Sequence, residues 1–316
     1  VNNSFFIGVD GGGTKTEAVC TDRFGRVLGR AVSGSTNRNH FSRMQLVDHL
    51  SEAIEGATNN ICIADADVTM FLGMSGVSTD EDRLDILSLT KEIKLIAPSS
   101  LVGVDNDSVI GLVGGLAGAP GMALVAGTGS ICLGVNSGHQ QWWCGGWGAL
   151  VDDAGSAPWV AVRALNAIAR AEDGRGPATV MTRTIFEHLG IVKPRQLLDR
   201  VHNQGLERTE LGCLAPLVVQ AYCEGDTAAG IILNDAAKEL SAMVRATVDH
   251  LFDPHEICPL IFVGGFARSG EPFQRILTER VQKDSPNVSI QEPLLSPALG
   301  AVLESMRLAG VSRTLE

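Results

Sequence analysis

The same local order occurs twice along this chain, and that repetition restricts it to folds built from a duplicated unit. In the first copy an apolar run, Phe5 to Val9, enters Asp10 and three glycines, Gly11, Gly12 and Gly13, after which Thr14, Lys15 and Thr16 resume an alternating pattern. In the second, Met122 to Ala126 enters Gly127, Thr128 and Gly129, and Ser130 to Val135 alternates again. Each copy continues through a polar turn, Asp22 to Gly25 or Asn136 to Gly138, into a third strand, Arg26 to Val32 or Gln140 to Trp143. Strand, small turn, strand, turn, strand, written twice, predicts an α/β protein of two similar domains with a nucleotide held between the halves.

The turns suit phosphate. Glycines open backbone conformations closed to other residues and bring bare N–H groups close to a ligand's oxygens. Asp10 beside the first turn is positioned to hold an accompanying magnesium ion, usually through water. Two commoner phosphate loops do not fit: the chain has no GxxxxGK followed by Ser or Thr at this turn, and no GxGxxG opening a helix. The strand pattern resumes immediately after Gly13 instead.

The pair GVDGGGTKTE and VAGTGS, with STN at Ser35 to Asn37, CGGWG at Cys144 to Gly148 and FVGGFARS at Phe262 to Ser269, resembles the N-acetylglucosamine kinase branch of the BadF/BadG/BcrA/BcrD ATPase family. The motifs stand in family order over nearly the whole chain. The resemblance implies the sugar kinase, heat-shock ATPase and actin superfamily fold: two ribonuclease-H-like domains around a nucleotide cleft. It also implies ATP and magnesium as cofactors, a small-molecule sugar as partner, and closure of the domains around the reactants. A homodimer is compatible with it.

At 316 residues the chain can bury a core for two domains. The expected boundaries are 1–117 with a returning helix over 297–312 for the first, and 118–296 for the second. A net charge of −11 and no basic stripe argue against nucleic-acid and anionic-membrane partners. Seven scattered cysteines without a CxxC pair favour reduced thiols and a cytoplasmic setting, and the start VNNSFF does not read as a signal peptide. From Ser108 to Val151 there is no Asp, Glu, Lys or Arg, yet Ala119, Pro120 and Gly121 interrupt the run and its second part alternates. That segment reads as a buried helix followed by a buried hairpin, not a membrane span.

Between the repeats, the pattern predicts a loop from Gly34 to Asn39, a helix over Gln45 to Ile54, a strand over Val68 to Leu72 and a helix capped by Thr79 or Asp80. A strand over Leu101 to Val104 then leads to a helix ending near Leu116. Further helices are expected at about 157–171, 178–189, 195–203, 211–223 and 227–251, a strand over Leu260 to Val263, and a small-residue helix over Pro297 to Leu308. Residues 311–316 read as a frayed tail.

Phosphoryl transfer to a hydroxyl needs a base near the attacking oxygen. Asp105 and Asp107 lie where a strand opens into a helix, the usual place for a site in an open α/β sheet. The family's N-D step matches Asn106 with Asp107, which makes Asp107 the expected base and Asp105 the alternative; a capping role is the non-catalytic reading of either. The resemblance assigns ATP binding to Gly12, Gly13, Thr14, Thr128, Gly264, Gly265 and Ser269, and sugar binding to Asn37, Asp107, Ser130, Gly146, Trp147, Gly148 and Asp153. Trp147 has an alternative reading as core, Asn37 as a turn residue and Asp153 as a helix cap. Lys15, by alternation with Thr14 and Thr16, points away from the turn.

The family's GDEGS appears here as Asp152, Asp153, Ala154, Gly155 and Ser156, so a carboxylate is missing at Ala154, and Arg38 after Asn37 is another point of difference. The implied reaction is phosphorylation of an amino sugar, N-acetylglucosamine at its 6-hydroxyl, with glucosamine or another hexose derivative as alternative substrates. An iron–sulfur ATPase activator of a dehydratase would need paired cysteines, which are lacking. A non-catalytic sugar sensor is the remaining alternative, supported by Ala154 and opposed by retention of Asp10, Asp107 and both turns.

Overall fold

Phe5, Ile7 and Val9 belong to one hydrophobic cluster and Phe6 to another, and all four are buried, so the first strand is covered on both faces. A strand buried that way belongs at the centre of its sheet. The computed structural model describes residues 4–38, 41–61, 63, 66–94, 97 and 99–311. Residues 312–316 of the expected tail lie outside them. The described residues fall into two compact units, Val1–Ala119 with Glu292–Glu316, and Pro120–Gln291.

The first unit contains β1 (Ser4–Gly11), β2 (Thr16–Asp22), β3 (Val27–Ser33), α1 (Arg43–Thr58), β4 (Asp67–Met74), α2 (Asp80–Thr90), β5 (Leu101–Asn106) and α3 (Asp107–Gly115). The second contains β6 (Gly121–Ala126), β7 (Ser130–Val135), β8 (Gln141–Gly145), α4 (Ala157–Glu172), α5 (Met181–Leu189), α6 (Gln196–Leu198), α7 (Arg208–Gly212), α8 (Ala215–Cys223), α9 (Thr227–Leu251), β9 (Cys258–Val263), α10 (Glu271–Asp284) and β10 (Val288–Gln291). The last helix, α11 (Pro297–Leu308), packs in the first unit.

The duplication is explicit in the pairing. The first sheet runs β3-β2-β1-β4-β5 and the second β8-β7-β6-β9-β10. In both, the first three strands form an antiparallel meander and the last two lie parallel to its first strand, β1 or β6, which is thereby the centre of the sheet. This is a ribonuclease-H-like sheet, made twice.

Small residues let α11 approach. A Cβ on Gly8 of β1 would lie 2.3 Å from the Ala298 carbonyl oxygen, and one on Gly300 would lie 2.0 Å from that of Ile110 in α3. Gly114 serves the same contact, since its Cβ would meet the Ser296 carbonyl at 2.5 Å. The small residues of the uncharged run therefore make a helix contact within the first unit. Among the described residues no helix is long and apolar enough to cross a membrane.

Three expectations are corrected. The helix expected over 195–203 is the three-residue α6 followed by a π-helical turn, Asp199–Asn203, and the helix expected over 211–223 breaks between α7 and α8, where Pro216 lacks an N–H to continue the ladder. The pattern also overlooks α10 and β10. The first, entered through Gly270 and Pro272, sets Phe273, Ile276, Leu277 and Val281 at helical spacing but dilutes them among charged residues, and the second has only four residues, too few for a period to register.

Candidate active site

In the first unit the Gly11–Thr16 turn is stitched from three directions. The Gly12 N–H donates to the Lys15 carbonyl at 3.0 Å, the Ser75 N–H to the Gly11 carbonyl at 2.8 Å, and the Ser35 hydroxyl to the Gly12 carbonyl at 3.1 Å. None of Gly11, Gly12 or Gly13 has a positive φ, so conformational freedom is not what this turn uses. Close approach is: a Cβ on Gly11 would lie 2.5 Å from the Met74 sulfur and 2.6 Å from the Thr36 hydroxyl. Thr14 stands exposed at the tip, and Lys15 turns to Glu17 at 3.1 Å.

The STN loop is bound to this turn. The Thr16 and Thr36 hydroxyls meet at 2.9 Å, Asn37 is held through its N–H to the Ser35 hydroxyl at 3.2 Å, and its side-chain amide faces Gly13. The His49 ring nitrogen Nδ1 contacts the Ser35 carbonyl at 2.6 Å; a carbonyl only accepts, so Nδ1 carries the proton. Arg38 turns to α2, pairing with Asp82 at 2.5 Å and Asp85 at 3.6 Å.

Two of three adjacent parallel strands deliver a carboxylate to one edge. Asp10 stands opposite Gly73, and Gly73 opposite Asp105, at the carboxyl ends of β1, β4 and β5. Asn106 is the cap of α3, its side chain accepting from the Ser108 N–H at 2.9 Å, so neither aspartate has that role. Asp105 accepts from Arg83 at 2.7 Å and from the Asn106 N–H at 2.8 Å. Asp107 begins α3 and accepts from the Ser108 N–H and the Ser75 hydroxyl; burial pushes its carboxyl up, and these donors pull it back in part.

Asp10 is raised to about 6, chiefly by burial and then by the charges of Asp107 and Glu17, with Lys15 opposing. Two carboxylates that repel one another in a half-buried position favour a cation between them and solvent. Among the described residues no group of three or more His, Cys, Asp or Glu could hold a metal. One carboxylate with water and phosphate oxygens is the usual magnesium arrangement, and Asp10 fits it.

The second unit builds its turn differently. The Gly127 N–H donates to the Gly129 carbonyl at 2.9 Å, leaving Thr128 exposed at the tip. Asp153, 3% exposed and in a left-handed conformation at φ 52°, accepts from the Ser130 N–H at 3.4 Å and from Arg208. Arg208 also donates from Nε to the Thr128 carbonyl at 2.6 Å. The cap of α4 is Ser156, not Asp153. The Ser130 hydroxyl donates to the Ala154 carbonyl at 2.8 Å, and its own carbonyl accepts from the Gly146 N–H at 2.9 Å. Gly146 and Gly148 both have positive φ, and Trp147 between them is 73% exposed, which excludes a core role.

The FVGGFARS loop meets the same turn. Gly264, at φ 95°, comes so close to the end of β6 that a Cβ would lie 2.6 Å from the Ala126 carbonyl, which accepts from the Phe266 and Ala267 N–H groups. Gly265 faces open space, and a Cβ on Gly127 would be 3.9 Å from its nitrogen. The buried Ser269 hydroxyl has no hydrogen-bond partner. Orphaned buried hydroxyls are uncommon, and this one in the same loop as the unobstructed Gly265 suits a polar ligand.

The structure thus groups Asp10, Gly12, Gly13, Thr14, Asn37 and Asp107 in the first unit, and Thr128, Ser130, Gly146, Asp153, Gly264, Gly265 and Ser269 in the second. Ser75 and Arg208 were missed in the sequence. Each reaches its partner only through the fold, and nothing near residue 208 marks it as a neighbour of residue 128.

A family model described as the BadF/BadG/BcrA/BcrD ATPase family matches residues 7–305. The chain is 30% identical to an N-acetyl-D-glucosamine kinase of Dictyostelium discoideum, over 96% of this chain and 98% of the relative. It is 28% identical to an N-acetylmuramic acid/N-acetylglucosamine kinase of Clostridium acetobutylicum, over 95% and 97%. Among solved structures, a candidate N-acetylglucosamine kinase of Chromobacterium violaceum aligns with a TM-score of 0.72 at 25% identity, covering 95% of this chain and 98% of that one.

Proposed function

The chain belongs to the BadF/BadG/BcrA/BcrD ATPase family, and we propose that it is an ATP-dependent amino-sugar kinase that phosphorylates the 6-hydroxyl of N-acetylglucosamine. The observation that carries this reading is Asp107, a carboxylate raised by burial, oriented by Ser75 and the α3 backbone, and lying near Asp10 at the strand ends. A base must be ionised yet still hold a proton well, and a carboxyl raised by burial is better suited than an ordinary one.

Asp107 takes the proton of the sugar hydroxyl as its oxygen attacks the γ-phosphorus; that bond forms as the bond from phosphorus to the ADP oxygen breaks. Asn37 on the first unit, and Gly146, Trp147 and Gly148 on the second, are the groups offered to a sugar, with Trp147 presenting an exposed apolar face to the ring, whereas Ser130 and Asp153 are nearly buried and hold the turn behind them. Within the first unit Gly13 and Thr14 are the donors offered to phosphate, with the Gly12 N–H holding the turn through the Lys15 carbonyl; within the second unit Thr128 is the corresponding donor. Gly264 and Gly265 give the adenosine a surface without side chains, and the orphaned Ser269 hydroxyl gains a partner. Magnesium, when bound, supplies charge neutralisation, and Asp10 would hold it through water. The N-acetyl preference is drawn from the names of the two relatives.

The test is ADP release with ATP and magnesium against N-acetylglucosamine, glucosamine, N-acetylmannosamine and glucose, run beside Asp107→Asn. Turnover dependent on N-acetylglucosamine and abolished in the variant is expected. ATP binding without turnover on any sugar would sink the kinase reading in favour of a sensor.

A further inference from the structure

Arg208 lies far along the chain from every motif of the site, yet it touches the second phosphate turn at two places. Its Nε donates to the Thr128 carbonyl at 2.6 Å and its Nη2 to Asp153. We propose that Arg208 is a positioning residue for the nucleotide, setting the shape of the Gly127–Ser130 turn; this rests on the kinase reading for the identity of the nucleotide.

The argument begins at one peptide plane. The Thr128–Gly129 peptide is planar and trans, so a bond that fixes its carbonyl also fixes the Gly129 N–H, which points the opposite way. That N–H is one of the bare donors the turn offers to a phosphate. The other face of the turn is held by Asp153, which takes the Ser130 N–H and is itself nearly buried. A buried carboxylate requires a cation, and the Arg208 guanidinium is that cation. One planar fork therefore ties the backbone at 128 to the carboxylate that holds 130.

Gly129 is part of the same design. A Cβ there would lie 2.9 Å from the Arg208 Nη2 and 3.3 Å from both Asp153 oxygens, so a larger residue would displace the guanidinium. Arg208 is in turn held by its own helix. The Glu207 N–H donates to Glu210 at 3.2 Å where α7 begins, and Glu210 also accepts from Arg200 at 2.6 Å. The ammonium of a lysine could replace one of the two Arg208 contacts, but it lacks the rigid, diverging donors needed for both.

The experiment uses the full chain with Arg208→Lys and Arg208→Ala, and reads two quantities that need no turnover. The first is the affinity for magnesium-ATP by equilibrium binding; the second is amide hydrogen exchange over residues 127–130 in the free protein. Arg208→Lys is expected to weaken ATP about tenfold and Arg208→Ala about 100-fold, the scale of a misplaced positioning group. Exchange at the turn should rise at least about tenfold in both while α9 stays protected. Nucleotide affinity and turn exchange both unchanged in Arg208→Lys would overturn the proposal, and so would a uniform rise in exchange throughout the second unit, which marks a merely structural ion pair. A wild-type protein that binds ATP but phosphorylates no sugar would remove the kinase reading and leave this measurement decisive for Arg208.

Discussion

Arg83 donates from Nη2 to Asp105 Oδ1 at 2.7 Å, and this one bond separates the two aspartates at the mouth of α3. Asp105 is engaged by Arg83 and by the Asn106 N–H. Asp107, two residues on, meets only hydroxyl and backbone donors among the partners that shift its carboxyl, so it keeps the basicity that burial confers.

Asp105→Asn should therefore retain turnover within about tenfold of wild type, whereas Asp107→Asn should lose a factor of about 10²–10⁴, the range of general-base contributions. Because the Arg83–Asp105 pair is partly solvated, its loss should cost about 1 kcal/mol or less in urea unfolding. Equal losses of kcat in the two variants would contradict this division.

Asp10 gives stability a pH dependence of definite sign. Its carboxyl is raised from 3.8 to about 6 in the folded protein, so the folded state holds the proton more tightly than the unfolded chain. Its contribution is full below about pH 4 and is lost as the pH rises through about 6. Asp10→Asn should then melt higher than wild type at pH 7.5, by at most about 3 kcal/mol, with the difference vanishing near pH 4. Differential scanning calorimetry across that range checks it; a variant less stable than wild type at pH 7.5 would refute the sign.

The Ser75 hydroxyl lowers the Asp107 carboxyl by donating to its charged form. Ser75→Ala removes that donor, so the acid limb of the kcat/KM profile should move to higher pH, with kcat reduced about tenfold near neutrality. A pH–rate profile resolves the two effects, and an unshifted acid limb would show that Ser75 does not tune the base.

Gly300 sits on a helix, where alanine would ordinarily gain about 1 kcal/mol in propensity. Here the added methyl would lie 2.0 Å from the Ile110 carbonyl and 2.5 Å from the Gly114 nitrogen, both backbone atoms that cannot swing aside. Overpacking of that kind costs about 1–3 kcal/mol or more, so the steric penalty wins and Gly300→Ala should lower the melting temperature. A neutral or raised melting temperature would mean that α11 can shift away from α3 at little cost.

Much of the architecture was legible because period and punctuation are local properties. The alternation after Gly13 and again from Ser130 marked both meanders, and the apolar run through Phe5 to Val9 marked a central strand. Thr79 is a short polar side chain that takes orphan N–H groups at the start of α2, a role visible within a few residues, whereas the capping role read for Asp105 or Asp107 belongs to Asn106 between them. α10 escaped because its apolar set, Phe273, Ile276, Leu277 and Val281, is diluted by charged residues, and β10 because it is too short for a period to register.

The site divides along the same line. The sequence alone marks the glycine turns, the strand-end carboxylates and the exposed GGWG loop, since these depend on residues adjacent in the chain. It ranks Asp107 over Asp105 only through the resemblance to the family's N-D step, because the physical difference between them depends on Arg83 from α2 and Ser75 just after β4. Nor does it link Arg208 to Thr128 across 80 positions, or show that Gly11 serves close packing instead of a left-handed turn. Those relations are distances and solvent exposures, quantities that come into being only when segments remote in sequence are brought together and water is removed from around them.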